Sequence, residues 1–140
     1  MNRWRISRTT NEIAHRHLCA ALVSPDDSEL SARAAAAIED ADNEVFVSVV
    51  SVWEIAIKAG LGKIKVPHGL ESGLETHLEE SGFTLLPVNY RHAAGVYALP
   101  KMHGDPFDRL LISQCRAEKL VAVTSDAQWS AKKYGLRVLW

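Results

Sequence analysis

The sequence has few cysteines, no long apolar run and almost no net charge. Its two cysteines, Cys19 and Cys115, stand far apart in the sequence, which excludes a zinc ribbon, a redox pair and a disulfide framework. No apolar run approaches the roughly 20 residues that a membrane-spanning helix needs. Because 16 basic and 17 acidic side chains nearly cancel, no overall positive field draws the chain to nucleic acid or anionic lipid. These features predict a soluble, cytoplasmic protein with no membrane association.

The sequence does have the size and apolar content of one globular domain, with 140 residues of which 47% are hydrophobic. We predict that residues 22–140 form this single domain. Residues 1–21 show no clean strand or helix period before Leu18-Cys-Ala-Ala-Leu-Val23, so they are predicted to be an atypical arm that leads into a short helix. No apolar signal core follows the basic first residues, so no secretion signal is expected.

From about residue 30 onward, helical and strand patterns alternate along the chain. The β-branched, almost continuously apolar segment Val45–Val50 predicts a strand buried on both faces, and a helix is predicted to open at Ser51. Asp105-Pro106 predicts the start of a helix that continues toward Lys119. The other predicted elements are helices near 34–37, 70–80, 91–99 and 125–134, and strands over 83–88, 120–124 and 136–140. This alternation predicts an α/β sandwich around a mostly parallel sheet.

Acidic side chains follow two of the predicted strands and open the helix between them. Glu54 comes one short turn after the first of these strands, Asp126 closely follows the second, and Asp105 and Asp108 lie in the first turn of the helix. Ligands of open α/β sheets bind beyond the carboxyl ends of the strands. Carboxylates that converge there repel one another unless a hard cation such as Mg²⁺ or Mn²⁺ neutralises them. Such a cation indicates hydrolysis of a phosphodiester.

Each of these carboxylates also has a purely structural interpretation. Ser51-x-x-Glu54 matches a capping box, in which the glutamate bonds back to the start of its own helix. Asp105 and Asp126 are also suited to cap helices, and Asp108 to lie at the positive end of a helix dipole. Taken singly, each structural interpretation is the commoner one. Their shared position at one sheet edge favours the metal site.

Three segments carry these carboxylates: Val47-Ser-Val-Val-Ser-Val-Trp-Glu-Ile-Ala-Ile-Lys58, His103-Gly-Asp-Pro-Phe-Asp-Arg-Leu-Leu-Ile-Ser-Gln114 and Leu120-Val-Ala-Val-Thr-Ser-Asp126. They resemble the signature blocks of PIN-domain ribonucleases, specifically the VapC-like toxins of bacterial type II toxin-antitoxin modules, and the resemblance runs from about residue 22 to 140. It implies a three-layer α/β/α sandwich and a Mg²⁺- or Mn²⁺-dependent endoribonuclease that hydrolyses RNA. It also implies a homodimer and inhibition by a cognate antitoxin protein.

The same resemblance assigns roles to individual residues by motif. It implies that Glu54, Asp108 and Asp126 are catalytic and bind the metal, and that Asp105 is an accessory metal ligand. It also implies supporting residues: Thr124 or Ser125 for the geometry of Asp126, and Arg109, which would orient a substrate phosphate or pair with a neighbouring carboxylate.

The sequence departs from this family at its start. Family members open with an apolar strand that ends in Asp-Thr-His or Asp-Thr-Cys, and that aspartate is a central metal ligand. The corresponding segment here is Ile13-Ala-His-Arg-His-Leu18, which has no acidic residue and only Glu12 beside it. A reading-frame shift would account for the departure, because Arg16-His17 codons such as CGA-CAC, read one base on, encode Asp-Thr.

Two consequences are expected from this departure. Loss of one carboxylate lowers metal affinity and impairs cleavage, and loss of the first strand leaves its buried neighbour with unpaired backbone groups. The alternative to a nuclease is therefore a catalytically inactive PIN-like protein that binds an antitoxin or RNA. A receiver-like switch domain fits less well, because such a domain needs an acidic pair near the N-terminus.

Overall fold

A computed structural model describes residues 17–20, 30–66, 69–101, 104–130 and 132–140. In this part of the chain, five strands form one sheet in the order β3-β2-β1-β4-β5, and every neighbouring pair is parallel. The strands are β1 (His17–Ala20), β2 (Glu44–Ser48), β3 (Thr84–Leu86), β4 (Val121–Val123) and β5 (Arg137–Leu139). The chain therefore builds one half of the sheet outward from β1 and then returns to the other side of β1 to build the second half.

Among the described residues, the connections between these strands contain five α-helices: α1 (Ala32–Glu39), α2 (Val49–Gly60), α3 (Leu74–Glu80), α4 (Tyr90–Gly95) and α5 (Pro106–Glu118). A π-helical turn over Gly69–Gly73 leads into α3, and a 3₁₀ helix over Val96–Ala98 continues α4. The predicted cap of α1 is confirmed, because the Ser31 side chain accepts a hydrogen bond of 3.1 Å from the Ala34 N–H.

The sheet lies between two apolar cores, as the side chains of β4 show. Val121 and Val123 belong to a core that also contains the buried residues of α1 and α3. Ala122, which points to the opposite face, belongs to a second core with the buried residues of α5. Two layers of helices thus cover the two faces of the sheet. The predicted three-layer α/β/α sandwich with a parallel sheet is confirmed.

Strand β1 corrects the prediction for the start of the chain. Residues 17–20 were predicted to belong to an arm that leads into a short helix, whereas they form the central strand of the sheet, with Leu18 opposite both Val45 and Val121. The reason is tertiary: β2 and β4 both need a partner for their buried backbone groups, and this demand overrides the weak local pattern. The expected unpaired strand is therefore not seen. The rest of the predicted arm and helix lies outside the described residues.

The end of the chain also differs from the sequence prediction. Two 3₁₀ helices, Ala127–Ser130 and Lys132–Tyr134, take the place of the single helix predicted near 125–134. Trp129 and Tyr134 are both buried in the same core, although five positions along a regular α-helix would turn them about 140° apart. The 3₁₀ conformation of these two segments, in place of one regular α-helix, accompanies the burial of both rings.

Candidate active site

The topology brings the predicted carboxylates to one edge of the sheet. Glu54 follows β2 and Asp126 follows β4, and parallel strands end at the same edge. Helix α5 leads directly into the start of β4, so its first turn, with Asp105 and Asp108, lies back at the edge where the strands end. The described residues therefore agree with the placement on which the sequence argument depended.

A ring contact joins the two helices that carry Glu54 and Asp108. Trp53 and Phe107, each directly before one of these acids, have ring centroids 4.8 Å apart and an angle of 57° between the ring planes. Tilted aromatic pairs of this kind are favourable. The contact holds the second turn of α2 against the first turn of α5.

Glu54 forms an ion pair within its own helix. Its Oε1 lies 2.6 Å from Lys58 Nζ, and both side chains are largely buried, with 18% and 21% exposed. The capping-box interpretation of Glu54 with Ser51 is wrong, because α2 begins at Val49, with Ser48 as its N-cap. The Ser48 Oγ accepts a hydrogen bond from the Val50 N–H, which ends the strand and starts the helix earlier than predicted.

Asp105 and Asp108 occupy the first turn of α5 in different ways. The Asp105 side chain accepts a hydrogen bond of 2.9 Å from the Phe107 N–H and caps the helix, with Pro106 at the first helical position. The structural interpretation of Asp105 is thus confirmed, and this carboxylate is exposed. Asp108 is half-buried and lies in the first turn of α5, at the positive end of the helix dipole.

Asp126 lies in a turn directly after β4. Its Oδ1 accepts a hydrogen bond of 2.9 Å from the Gln128 N–H and so starts the 3₁₀ helix that follows, which agrees with the capping interpretation. Thr124 Oγ1 accepts a hydrogen bond of 3.1 Å from the Asp126 N–H, and the Thr124 N–H is itself bonded to Leu139 O in β5. The backbone of Asp126 is therefore tied to the sheet, whereas Ser125 is exposed.

Arg109 binds backbone carbonyls. Its guanidinium donates to Pro100 O at 2.9 Å and to Val96 O at 3.3 Å, and it lies 3.5 Å from Leu99 O. These bonds fasten the end of the 3₁₀ helix over Val96–Ala98 to the first turn of α5. Arg109 thus has a structural role beside the proposed one.

A buried polar network lies next to this site and was not predicted from the sequence. Ser48 Oγ donates to Gln114 Oε1, and both residues are completely buried. Gln114 Nε2 in turn donates to Pro87 O at 3.3 Å. The signal in the sequence was a glutamine in the middle of the apolar face of α5, because a buried amide needs partners.

His92 extends this network to the far end of α5. Its Nδ1 accepts the Asn89 N–H at 3.2 Å, so the proton lies on Nε2, which donates to Glu118 Oε1 at 2.7 Å. Gln114 Nε2 is 3.4 Å from the same Nδ1. The network therefore fixes α4 and α5 against each other and against the end of β2.

Carboxylate oxygens are the ligands that hard divalent cations prefer, so the chemistry of these residues suits Mg²⁺ or Mn²⁺. The arrangement fits less well, because in the described part of the chain no group of three or more His, Cys, Asp or Glu side chains is placed to hold an ion. The described carboxylates do not form a complete metal cage by themselves.

Comparison with known proteins identifies the family. The family model for the PIN domain matches residues 17–134, and the chain therefore belongs to the PIN domain family. It is similar to Ribonuclease VapC16 of Mycobacterium tuberculosis, with 29% identity over 86 residues, which cover 61% of this chain and 57% of that protein. The chain thus spans less than two thirds of the length of this curated relative. PIN-domain VapC nucleases generally depend on a divalent metal.

The fold also matches a solved structure. VapBC2 from Rickettsia felis, bound to a DNA fragment from its promoter, superposes with a TM-score of 0.52 at 18% identity, over 69% of this chain and 74% of that one. The predicted resemblance to VapC-like PIN toxins is confirmed. In the described residues, no helix is long and apolar enough to cross a membrane.

Proposed function

We propose that this protein is a VapC-type endoribonuclease toxin that hydrolyses RNA phosphodiester bonds in the cytoplasm. The observation that supports it best is that the elements carrying Glu54, Asp108 and Asp126 all begin at the carboxyl edge of the parallel sheet, where open α/β folds bind their ligands. The similarity to Ribonuclease VapC16 supports the same reaction.

In this proposal, Glu54, Asp108 and Asp126 supply part of the shell of a Mg²⁺ or Mn²⁺ ion, and Asp105 is an accessory ligand. A divalent ion, when bound, acidifies water and stabilises charge on the phosphate. The cap formed by Asp105 and the turn formed by Thr124 would hold the helix and the loop that present the other carboxylates. To bind the ion, Glu54 would have to give up its ion pair with Lys58. The cost of breaking this pair lowers the affinity for the ion.

The first test is Mn²⁺ binding by calorimetry on the full chain, with RNA cleavage measured on the same sample. We expect Asp108→Asn and Asp126→Asn each to weaken Mn²⁺ binding by at least about tenfold. Replacing a residue that only orients a metal ligand already lowers affinity by about tenfold, so loss of a ligand should lower it at least as much. Thermal unfolding should show that both variants still fold.

The matched control is Asp42→Asn, which makes the same change in the exposed turn before β2, at the opposite edge of the sheet. This variant should bind Mn²⁺ as the parent does. If Mn²⁺ binding is unchanged in all three variants, the carboxylates serve as caps and the nuclease proposal fails.

A second candidate is a PIN-like protein that binds an antitoxin or RNA and does not cut. It is favoured by the lack of an acidic residue in Ile13–Leu18 and by the incomplete metal cage among the described residues. The affinity of an ion site depends on the number of its charged ligands, so the loss of one carboxylate weakens it. Absence of both Mn²⁺ binding and cleavage in the folded parent chain would select this candidate.

We also propose a cognate antitoxin and a second copy of the chain as protein partners. The fold likeness to VapBC2 supports the antitoxin, and Trp53, Ile57 and Leu61 leave an apolar stripe exposed along α2. Light scattering should give about twice the chain mass of 15.5 kDa if the homodimer forms. Co-expression with an antitoxin that binds this protein should protect the backbone of α2 from hydrogen exchange.

A further inference from the structure

Two tyrosines stand almost wholly in solvent on the segment that precedes the active-site helix. Tyr90 begins α4 and is 86% exposed, and Tyr97, in the 3₁₀ helix that continues it, is 97% exposed. Tyrosine rings are normally covered over much of their area. Two bare rings on one short segment therefore indicate a surface that accepts flat, aromatic groups.

The charges around these rings select the sign of the partner. Residues 81–104 contain no Asp or Glu, and the segment carries the exposed cations Arg91 and Lys101. Arg91 also donates one hydrogen bond, of 3.3 Å, to Ala117 O, which positions its guanidinium beside α5. A segment that combines bare aromatic rings with cations and has no carboxylate of its own favours a polyanion that carries bases. The neighbouring carboxylate of Glu118 is engaged by His92.

The position of the segment connects it to the candidate active site. The bonds from Arg109 to Val96 O and Pro100 O hold the Tyr97 end against the first turn of α5, where Asp108 lies. Near the other end, Arg91 reaches Ala117, in the last turn of α5. Helices α4 and α5 therefore run in opposite directions, and the segment leads from the first turn of α5, which contains Asp108, toward the last turn of α5.

The spacing of the rings suits two bases of one stacked strand. Seven residues make nearly two helical turns. Tyr90 and Tyr97 therefore lie on about the same side of the helical segment, with their Cα atoms roughly 10 Å apart. Ala93 and Ala94 between them are exposed and small, which keeps the surface between the rings low. With a rise of about 3.4 Å per nucleotide in a stacked strand, the rings would meet bases about three nucleotides apart.

We propose a track for single-stranded RNA that extends from the first turn of α5. It is formed by Tyr90, Arg91, Tyr97 and Lys101. This inference rests on the proposed ribonuclease function. It specifies where the RNA binds on either side of the phosphate that is cleaved. The rings stack on bases, and the cations contact phosphates. Such stacking is tolerant of sequence, so the track contributes affinity and direction rather than a cut-site preference.

The test uses the full chain and a fluorescein-labelled 12-nucleotide oligouridylate in EDTA, so that binding is measured without cleavage. Tyr90→Ser and Tyr97→Ser should each weaken binding by at least about fivefold, the lower limit for loss of one stacked base. Tyr90→Phe and Tyr97→Phe should keep the affinity, because the ring and not the hydroxyl carries the contact. Leu30→Ser, which removes an exposed apolar side chain before α1, is the matched control.

The phosphate contacts are tested by the salt dependence of the same binding. Lys101→Gln should lower the slope of log affinity against log salt by about 0.7, the value for one phosphate contact on a single strand. Lys133→Gln removes an exposed cation from the segment before β5 and should leave the slope unchanged. Equal slopes for both variants would remove Lys101 from the track.

The outcomes separate the track from the proposed function. If the parent chain cleaves RNA and both serine variants bind like the parent, the track is wrong and the nuclease proposal stands. If the parent chain does not bind the oligonucleotide, the track is wrong whatever the cleavage assay shows. If the serine variants lose binding and change oligomeric state together in light scattering, the tyrosines form a protein interface, and the track is again overturned.

Discussion

Ser48 joins two parts of the structure through a single hydroxyl group. It caps α2 by accepting the Val50 N–H, and it donates to the buried amide of Gln114. We expect Ser48→Ala to lower the free energy of unfolding by about 2–4 kcal/mol, because a helix cap is lost and a buried acceptor is left without a donor. Chemical denaturation with a matched parent measurement checks this value.

Ser31→Ala is the control for the cap alone. Ser31 caps α1 in the same way and has no buried amide to satisfy, so its loss should cost about 1 kcal/mol. If the two variants lose equal stability, the bond from Ser48 to Gln114 contributes nothing measurable.

At the scale of single residues, the sequence located the carboxylates but not all of their partners. Their order after predicted strands was enough to place Glu54 and Asp126 at one edge. The pairing of Glu54 with Lys58 was not predicted, because it depends on where α2 begins. That start is set by Ser48, which bonds both to Val50 in its own helix and to Gln114, 66 positions away in the sequence.

At the scale of elements, α4 and α5 meet at a glycine. A Cβ atom on Gly95 would lie 2.6 Å from Ser113 Oγ, whose hydroxyl donates to His92 O. Gly95→Ala should therefore lower the free energy of unfolding by about 1–2 kcal/mol, because the clash with Ser113 Oγ and the loss of its buried hydrogen bond together outweigh the gain in helix propensity. Thermal and chemical unfolding both measure it.

Gly60→Ala is the matched control for Gly95→Ala. Gly60 also ends an α-helix, and a Cβ there would meet nothing within 4 Å. This variant should be neutral or up to about 1 kcal/mol more stable. The double variant Gly95→Ala with Ser113→Ala should recover part of the loss, and a loss that persists in full would place its cause outside this contact.

The elements were largely predictable because most of them carry their own start and stop signals. Asp105-Pro106 marks the start of α5, and an apolar β-branched run marks β2. The last predicted helix was wrong because its geometry follows from burying Trp129 and Tyr134 in one core. No local signal in the sequence states that both rings must face the same way.

At the scale of the whole molecule, β1 is the strand on which the two halves of the sheet depend. It pairs with β2 on one side and β4 on the other. Cys19→Pro should remove a ladder hydrogen bond in the centre of the sheet. We expect the free energy of unfolding to fall by at least about 3 kcal/mol, the upper end of the cost of one buried unpaired group. Circular dichroism with denaturant titration checks whether the fold survives.

Thr84→Pro makes the comparable change at the first residue of β3, which lies at the edge of the sheet. Proline is tolerated at such positions, so this variant should lose much less stability. Equal losses would mean that β1 is no more central to stability than an edge strand.

The class of the fold could be predicted from the alternation of strands and helices, but the central strand could not. His17–Ala20 is only four residues long and is not flanked by turn signals. Its strand conformation is imposed by β2 and β4, which are separated by more than 70 residues of sequence. Long-range demands of this kind leave little trace in a local window.

The strand order has a consequence for synthesis on the ribosome. Strands β1, β2 and β3 emerge first and can pair, but β4 begins only at Val121. Until β4 leaves the exit tunnel, β1 has one open edge with unpaired N–H and C=O groups, a site that invites association with other chains. A nascent chain stalled before Val121 would therefore be prone to aggregate, and its carboxylate edge would lack Asp126.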